Sequence, residues 1–387
     1  MSVFAAVITG KGTGAIATIQ LYGDSAADVL KQIFPSQKPV EFTTGKILLG
    51  IIKSGDKTID QVTIGCEGKN TYAINCHGNP LIVEEIMQLL QQHGVELLTA
   101  EQLLCKTSTE NNTIAIEAKL TLPKAKTIQG TQIIMNQIDS GLAASAKNWL
   151  QNPPEKIAAE SQKIIDNSKI AKLVIFGCRI VLAGPPNTGK STLLNQLCGR
   201  QKAIVADIKG TTRDWVSVSC QIGSLAAELI DTAGLDEKLA DDIGKAAQQK
   251  TTELINQADI VLLVLDNSEP TNQIDKSITN ILADKKVLMV LNKSDLPFVT
   301  QCRTGLPCLL NIGNMPDVIS ISAKLGSGID YLCDEIVQLA GVENFDPNQP
   351  ICFTARQEQL LTQLTKSKSK EVADSLITEL LSGPLNV

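Results

Sequence analysis

The residues best suited to chemistry form a glycine-rich segment, GPPNTGKS, at positions 184–191. Its spacing is G-x-x-x-x-G-K-[ST], and it lies between an apolar run and a helical stretch. Backbone N–H groups at a helix start bind phosphate oxygens. In such loops a lysine, here Lys190, reaches the β- and γ-phosphates, and a hydroxyl, here that of Ser191, ligates Mg²⁺. The segment predicts a nucleoside triphosphate site.

Three shorter motifs each follow an apolar run: Asp231-Thr232-Ala233-Gly234, Asn292-Lys293-Ser294-Asp295 and Ser322-Ala323-Lys324. An aspartate such as Asp231 holds Mg²⁺ through water, and the Gly234 N–H can contact the γ-phosphate. The Asp295 carboxylate can accept hydrogen bonds from N1–H and the 2-amino group of guanine, whereas adenine offers no such pair. The third motif fits a loop that packs on the base. Together they predict GTP as the nucleotide.

Residues 210–214, GTTRD, lie between the phosphate loop and the DTAG motif. A threonine in this segment can complete the Mg²⁺ shell while the γ-phosphate is present and release it after hydrolysis. The segment is therefore predicted to act as a switch.

The elements around these motifs alternate between strand and helix over residues 173–342. Apolar runs end just before each motif, and a further run lies at 260–265. This alternation predicts an α/β domain with a mostly parallel sheet and helices on both faces.

Helical spacing flanks this block on both sides. Apolar stripes of the kind formed by Leu360, Leu361 and Leu364 are too short to be stable helices alone in water, so the two flanking stretches should pack together. The first block reads as α+β, with a last strand expected at 114–122. The predicted division is 1–122 (N-terminal α+β domain), 123–172 (helical), 173–342 (inserted α/β domain) and 343–387 (helical).

Composition limits the remaining classes of protein. Of 387 residues, 43% are apolar and 20% charged, which favours packed domains over disorder. The net charge of −6 argues against binding to nucleic acid by bulk charge. Ten scattered cysteines and two histidines make a zinc site unexpected and fit a reducing compartment. No apolar run is long enough to span a membrane, and the first residues do not resemble a signal peptide, so we expect a cytoplasmic protein.

The motif set resembles that of the translation-factor-related GTPases, and Asn187 together with residues 210–214 narrows the resemblance to the MnmE (TrmE) type of tRNA-modification GTPase. Residues 11–23 resemble the glycine-rich turn of that family's N-terminal domain, and 75–80 (NCHGNP) resemble its HGGP segment. Residues 354–357 (TARQ) resemble the start of its C-terminal helical segment.

The resemblance implies a Ras-like G domain inserted in a helical domain, preceded by a small α+β dimerisation domain. Family members are homodimers through the N-terminal domain and hydrolyse GTP with Mg²⁺ as their G domains pair, assisted by K⁺. With MnmG, a flavoprotein, they modify the wobble uridine of certain tRNAs using a folate donor. Asn187 corresponds to the K⁺ ligand, Ala206, Ile208 and Thr211 lie in the K⁺ loop, and Thr212 is the second Mg²⁺ ligand beside Ser191.

The residues expected to contact GTP are Asn187, Thr188, Gly189, Lys190, Ser191, Thr192, Ala206, Asp207, Ile208, Lys209, Gly210, Thr211, Thr212, Asp231, Thr232, Ala233, Gly234, Asn292, Lys293, Asp295, Ser322, Ala323 and Lys324. Lys190, Thr212 and Asp241 are expected to be catalytic. Asp241 aligns with a family glutamate that orients the attacking water.

Other positions depart from the family pattern. Gln20 occupies the position of an arginine in the family's folate site, and Ala73 occupies a position where the family has an acidic residue. The family tail carries Cys-x-Gly-Lys, whereas no cysteine follows Cys352 in this chain. These departures predict that folate is not bound and that wobble modification is not completed. The alternative function is therefore a regulatory GTPase switch derived from the family. An RNA- or ribosome-associated assembly GTPase is a third possibility, which the acidic composition disfavours.

Two histidine positions are expected to be structural. Cys76 and His77 are neighbours in an extended segment, so their side chains should point to opposite faces and form a poor nucleophile–base pair. His93-Gly94 reads as the end of a helix with glycine just beyond it.

Overall fold

A computed structural model of the chain describes residues 2–10, 12, 14–35, 41–108, 112–200, 216–232, 242–269, 281–297 and 318–385. The chain divides into two compact units, Met1–Ile116 with Ser382–Val387, and Glu117–Leu381. Within the described ranges, none of the helices is both long enough and apolar enough to cross a membrane. The finer division at residues 122, 172 and 342 stays a prediction.

The N-terminal unit is built on a mainly antiparallel sheet with the strand order β3-β4-β5-β2-β1-β6, in which only the β1–β6 pair is parallel among the described strands. The strands are β1 (Val3–Val7), β2 (Ile16–Tyr22), β3 (Ile47–Ser54), β4 (Lys57–Gly68), β5 (Thr71–His77) and β6 (Val95–Leu97). Helices α1 (Ala26–Ile33), α2 (Pro80–Gln92) and α3 (Ala100–Thr107) complete it. In β2, Ala17, Ile19 and Leu21 are buried, so alternation directs one face into the core.

The strand expected at 114–122 is wrong: α4 (Thr113–Thr121) is a helix, followed by a short 3₁₀ turn at Leu122–Lys124. The segment alternates apolar and polar residues, but Ile114 and Ala118 also lie four residues apart and are both fully buried. Glu117 is 4% exposed and accepts hydrogen bonds from Arg356 and Gln357. A short apolar run fits both periods, and here tertiary contacts favour the helix.

The second unit contains a helical region formed from two separate stretches of the chain. The first stretch is α5 (Ile128–Asp139), α6 (Leu142–Trp149) and α7 (Pro154–Phe176), and the second is α11 (Ala355–Lys366) and α12 (Lys370–Ser382). Helix α11 packs on α7. The buried Gln137 side chain accepts hydrogen bonds from Leu142 N and Ile351 N, which joins the two stretches. The predicted insertion of the α/β region between packed helices is confirmed.

The inserted region has a sheet with the order β12-β11-β10-β7-β9-β8, parallel except for the β8–β9 pair. The strands are β7 (Cys178–Ala183), β8 (Val216–Ile222), β9 (Leu225–Asp231), β10 (Ile260–Asp266), β11 (Lys286–Asn292) and β12 (Val318–Ser320), and the helices are α8 (Lys190–Arg200), α9 (Asp242–Gln257) and α10 (Ile329–Ala340). Every residue of β10 is buried, as expected of a central parallel strand. The carboxyl ends of β7, β9, β10 and β11 meet at one edge.

Candidate functional site

The phosphate loop connects the end of β7 at Ala183 to the start of α8 at Lys190. Gly184 has φ +140°, and a Cβ there would lie 2.1 Å from the Val264 carbonyl oxygen. Gly189 has φ +91°, and a Cβ there would lie 2.3 Å from Asn292 Nδ2. Only glycine fits either position, so the loop forms a close backbone cradle at a helix N-terminus.

Lys190 is 3% exposed, which is rare for a lysine. Its Nζ donates hydrogen bonds to the carbonyl oxygens of Gly184 at 2.7 Å and Pro185 at 2.8 Å. These acceptors hold the ammonium group over the cradle. Phosphate oxygens would be stronger acceptors for the same donor.

The Asn292 side chain joins two of the motifs to each other. Its Nδ2 donates to the Thr188 carbonyl oxygen at 2.8 Å, and its Oδ1 accepts from Ala323 N at 2.9 Å. Asn292 is 2% exposed. One buried amide therefore links the phosphate loop to the Ser322–Lys324 loop.

Lys293 follows Asn292 in the left-handed region, with φ +63°. Its Nζ donates to Asp266 Oδ2 at 2.6 Å, and Ser268 N and Oγ donate to Asp266 Oδ1. Burial raises the pKa of Asp266, but the hydrogen bonds from Lys293 and Ser268 outweigh it and hold that pKa below its usual value. The Lys293 stem is thereby fixed at the carboxyl end of β11.

Asp266 was missed by the sequence reasoning. It ends β10 and is the register partner of Asn292 at the end of β11. A signal was present, because Asp266 closes the apolar run 260–265, just as Asp231 and Asn292 follow theirs.

Asp295 lies exposed at the same edge and pairs with the third motif. Its Oδ1 accepts a hydrogen bond from Ser322 Oγ at 2.6 Å, while Ser322 Oγ accepts one from Leu325 N at 3.2 Å. The Ser322 hydrogen bond lowers the pKa of Asp295, so the carboxylate stays ionised. The base-recognising acceptor of the sequence prediction is thus oriented by a buried serine.

Among the other predicted residues, Ser191 and Thr192 are exposed in the first turn of α8, and Asn187 has φ +63° in the loop. Asp231 is buried at the end of β9, and Thr232 Oγ1 donates to the Leu182 carbonyl oxygen at 2.8 Å. Lys324 is exposed. The following predicted residues lie outside the described part of the chain: Ala206, Asp207, Ile208, Lys209, Gly210, Thr211, Thr212, Ala233, Gly234 and Asp241. Their roles stay predictions.

The departures in the N-terminal unit are neighbours in space. Gln20 on β2 and Ala73 on β5 are register partners, so they lie side by side on two adjacent strands. Gln20 Nε2 donates to Glu67 Oε2 at 3.1 Å, and Ala73 is buried. These two side chains supply neither the cation nor the acid that the family pattern places there.

The two histidine predictions are confirmed. Cys76 is buried, and the His77 side chain is 67% exposed with Nδ1 2.7 Å from Asp60 Oδ1. His93 ends α2, and Gly94 follows with φ +80°. Across the described ranges, no group of three histidine, cysteine or acidic residues could hold a metal ion.

Two family models match this chain. Residues 179–293 match the 50S ribosome-binding GTPase family, and residues 3–102 match the GTP-binding protein TrmE N-terminus. Among solved structures, Era in complex with MgGDPNP and a 16S ribosomal RNA fragment shares 29% identity over 42% of this chain and 56% of that one, with a TM-score of 0.32.

Curated relatives match over nearly the whole chain. The tRNA modification GTPase MnmE of Endomicrobium trichonymphae is 30% identical over 94% of this chain and 87% of its own length. That of Bacillus cereus is also 30% identical over the same shares, and that of Clostridioides difficile is 28% identical over 99% of this chain and 90% of its own length. These relatives do not favour the alternative of a derived regulatory switch. The chain belongs to the MnmE family and is a P-loop GTPase.

Proposed function

We propose that this GTPase acts in the modification of tRNA, the activity in the names of its relatives, and that GTP is bound and hydrolysed at the edge of the inserted sheet. The observation that carries the site assignment is the Asn292 amide, which links the phosphate loop to the Ser322–Lys324 loop. Because one side chain joins the two loops, a nucleotide that contacts both would find them already positioned.

In this proposal Asp295 and the Ser322–Lys324 loop select guanine, and Lys190 binds the β- and γ-phosphates. On binding, the Lys190 ammonium exchanges the Gly184 and Pro185 carbonyl oxygens for phosphate oxygens. The exchange costs little desolvation, because Lys190 is buried already. Asp241 would orient the attacking water.

In the same proposal, two cations would be held beside the phosphate loop. Ser191, exposed in the first turn of α8 beside the glycine cradle, and Thr212 would hold Mg²⁺, while Asn187 with Ala206, Ile208 and Thr211 would hold K⁺. Bound there, the cations would neutralise charge that develops on the phosphates.

The N-terminal unit would form the homodimer. The β3 residues Ile47, Leu49 and Ile51 are 77%, 68% and 39% exposed, on a strand at the end of the described sheet. An exposed apolar row on a terminal strand is suited to pair with a second copy. A Leu49→Lys variant should shift the mass measured by light scattering toward the monomer; an unchanged dimer would place the interface elsewhere.

A flavoprotein of the MnmG kind would be the partner enzyme, in the cytoplasm.

The decisive experiment is complementation of a bacterial strain that lacks its own family member. From the names of the relatives we expect modified wobble uridine in the tRNA of the complemented strain, measured by mass spectrometry. That result would overturn the prediction, made from Gln20, Ala73 and the missing tail cysteine, that wobble modification is not completed. The matched control is a Lys190→Ala variant, which should restore none. Active GTP hydrolysis by the purified chain with no restored uridine would reject the role in tRNA modification while leaving the GTPase intact.

A further inference from the structure

The Asp266 carboxylate at the end of β10 binds the side chain of Lys293. Lys293 Nζ donates to Asp266 Oδ2 at 2.6 Å, and the N–H and hydroxyl of Ser268 donate to Asp266 Oδ1 at 2.9 and 2.7 Å. Asp266 is 7% exposed. Water screens the attraction between two charges little when one of them is buried. Asp266 is therefore a strong and well-fixed acceptor for the Lys293 ammonium group.

The backbone joins the ends of β10 and β11 at the same point. Asp266 and Asn292 are register partners in the parallel pair of strands, and Asn267 N donates to the Asn292 carbonyl oxygen at 2.9 Å. Asp266 thus lies beside the first residue of the NKSD motif. Its position is set by the sheet and does not depend on a bound nucleotide.

A second carboxylate, that of Asp295, lies in the same turn as Lys293. Leu296 N donates to the Lys293 carbonyl oxygen at 2.9 Å and closes a turn over residues 293–296. The ends of such a turn are within about 7 Å of each other. The flexible four-carbon stem of a lysine can therefore bring its ammonium group to Asp295, which is exposed. Lys293 has two carboxylates within reach, and it is bound to Asp266.

We propose that Asp266 is a positioning residue for base selection, which holds the Lys293 ammonium group away from the Asp295 carboxylate. In the proposed function, on which this assignment rests, Asp295 accepts hydrogen bonds from N1–H and the 2-amino group of guanine. If Asp295 were paired with Lys293, that ion pair would have to break before the base could bind, and the cost would lower the affinity for GTP. Asp266 removes this competition.

Titration of GTP into four full-length proteins tests the proposed role: the unmodified chain, Asp266→Asn, Lys293→Met and the double variant. Asp266→Asn keeps the size of the side chain and the oxygen that Ser268 binds, but turns an amide N–H toward the lysine and releases it. We expect GTP affinity to fall about tenfold. In the Lys293→Met background no ammonium group remains to compete, so Asp266→Asn should change the affinity by less than about twofold.

The comparison of backgrounds separates positioning from support of the fold. The effect of Lys293→Met itself cancels, because each Asp266→Asn protein is compared with its own parent. An equal loss in both backgrounds, or no loss in either, would overturn the positioning role. The matched control is Asp259→Asn, at the position just before the opposite end of β10, which should leave GTP affinity unchanged.

A milder variant covers the case in which Asp266→Asn folds poorly. Ser268→Ala removes one of the two Ser268 hydrogen bonds that fix Asp266, and it should weaken GTP binding about threefold, again only while Lys293 is present. A loss that persists in the Lys293→Met background would overturn the role as well. ATP is titrated into the unmodified chain in parallel: equal affinity for ATP and GTP would reject the proposed base site itself, whereas a preference for GTP without the expected coupling would reject only the role of Asp266.

Discussion

The inserted region and the N-terminal unit use their polar residues differently. At the edge of the inserted sheet, buried polar groups such as Asn292 and Lys190 connect loops from different strands. In the N-terminal unit, polar side chains pair across the strands of one sheet. Gln20 on β2 reaches over β5 to Glu67 on β4, and His77 on β5 pairs with Asp60 on the adjacent β4. The loops of the first arrangement border a space that a ligand can occupy, whereas the pairs of the second lie along the sheet. A short sequence motif is enough to recognise the first arrangement, whereas the second depends on which residues are paired across strands.

The largest effect is expected at Asp295, the residue to which we assign the choice of base. Asp295→Asn should weaken GTP binding at least about 100-fold, because an amide cannot accept two guanine hydrogen bonds. Xanthosine triphosphate should gain affinity, since its donor and acceptor pattern matches the amide. Fluorescent nucleotide titration measures both.

The control for that experiment is ATP, which should bind poorly to both proteins. Because the pKa of Asp295 lies below its usual value, the carboxylate stays charged as the pH falls toward 4, so the preference for guanine should persist across pH 5–8. Equal binding of ATP and GTP by the unmodified chain would reject the base assignment.

A smaller loss is expected at Asn292, which joins the loops. Asn292→Ala leaves Thr188 O and Ala323 N without their partner, and a buried unsatisfied group costs about 1–3 kcal/mol. Denaturant unfolding should show that loss, and GTP affinity should fall about tenfold. Ser294→Ala, at an exposed neighbouring position, is the control and should change neither quantity. Normal GTP affinity in the Asn292 variant would mean that the link between loops is dispensable.

Potassium should have a moderate effect on the same site. With Asn187 as a ligand, K⁺ should accelerate hydrolysis several-fold over Na⁺ at equal ionic strength, and Asn187→Ala should remove the difference. Steady-state phosphate release in the two salts measures this. The same rate in both salts would show that Asn187 does not bind K⁺ in this chain.

The N-terminal unit should show the smallest effect, which is none. Binding folate needs cations for its glutamate carboxylates and an acid for its pterin donors, and Gln20 and Ala73 supply neither. Calorimetry with 5-formyl-tetrahydrofolate should detect no binding. The double variant Gln20→Arg, Ala73→Glu places an ion pair between register partners. We expect this variant to bind 5-formyl-tetrahydrofolate weakly in the same calorimetric measurement. A clear isotherm from the unmodified chain would contradict the prediction.

Much of the nucleotide site could be predicted from the sequence, since its parts are short and contiguous. Gly184 and Gly189 are required by the backbone path itself, and the motif spacing places Lys190 at the start of a helix. The apolar runs before Asp231 and Asn292 identified parallel strands, whose carboxyl ends must meet at one edge. The family could be predicted from these motifs for the same reason, because each motif is short and contiguous in the sequence.

Contacts between distant residues were decided by the tertiary structure alone. The pairing of Lys293 with Asp266 depends on which strands are neighbours in the sheet. Residues 114–122 fit a strand by local alternation, yet Glu117 is held in a helix by Arg356, 239 residues away. Local pattern determines which conformations a segment can adopt, and burial against distant parts of the chain selects among them.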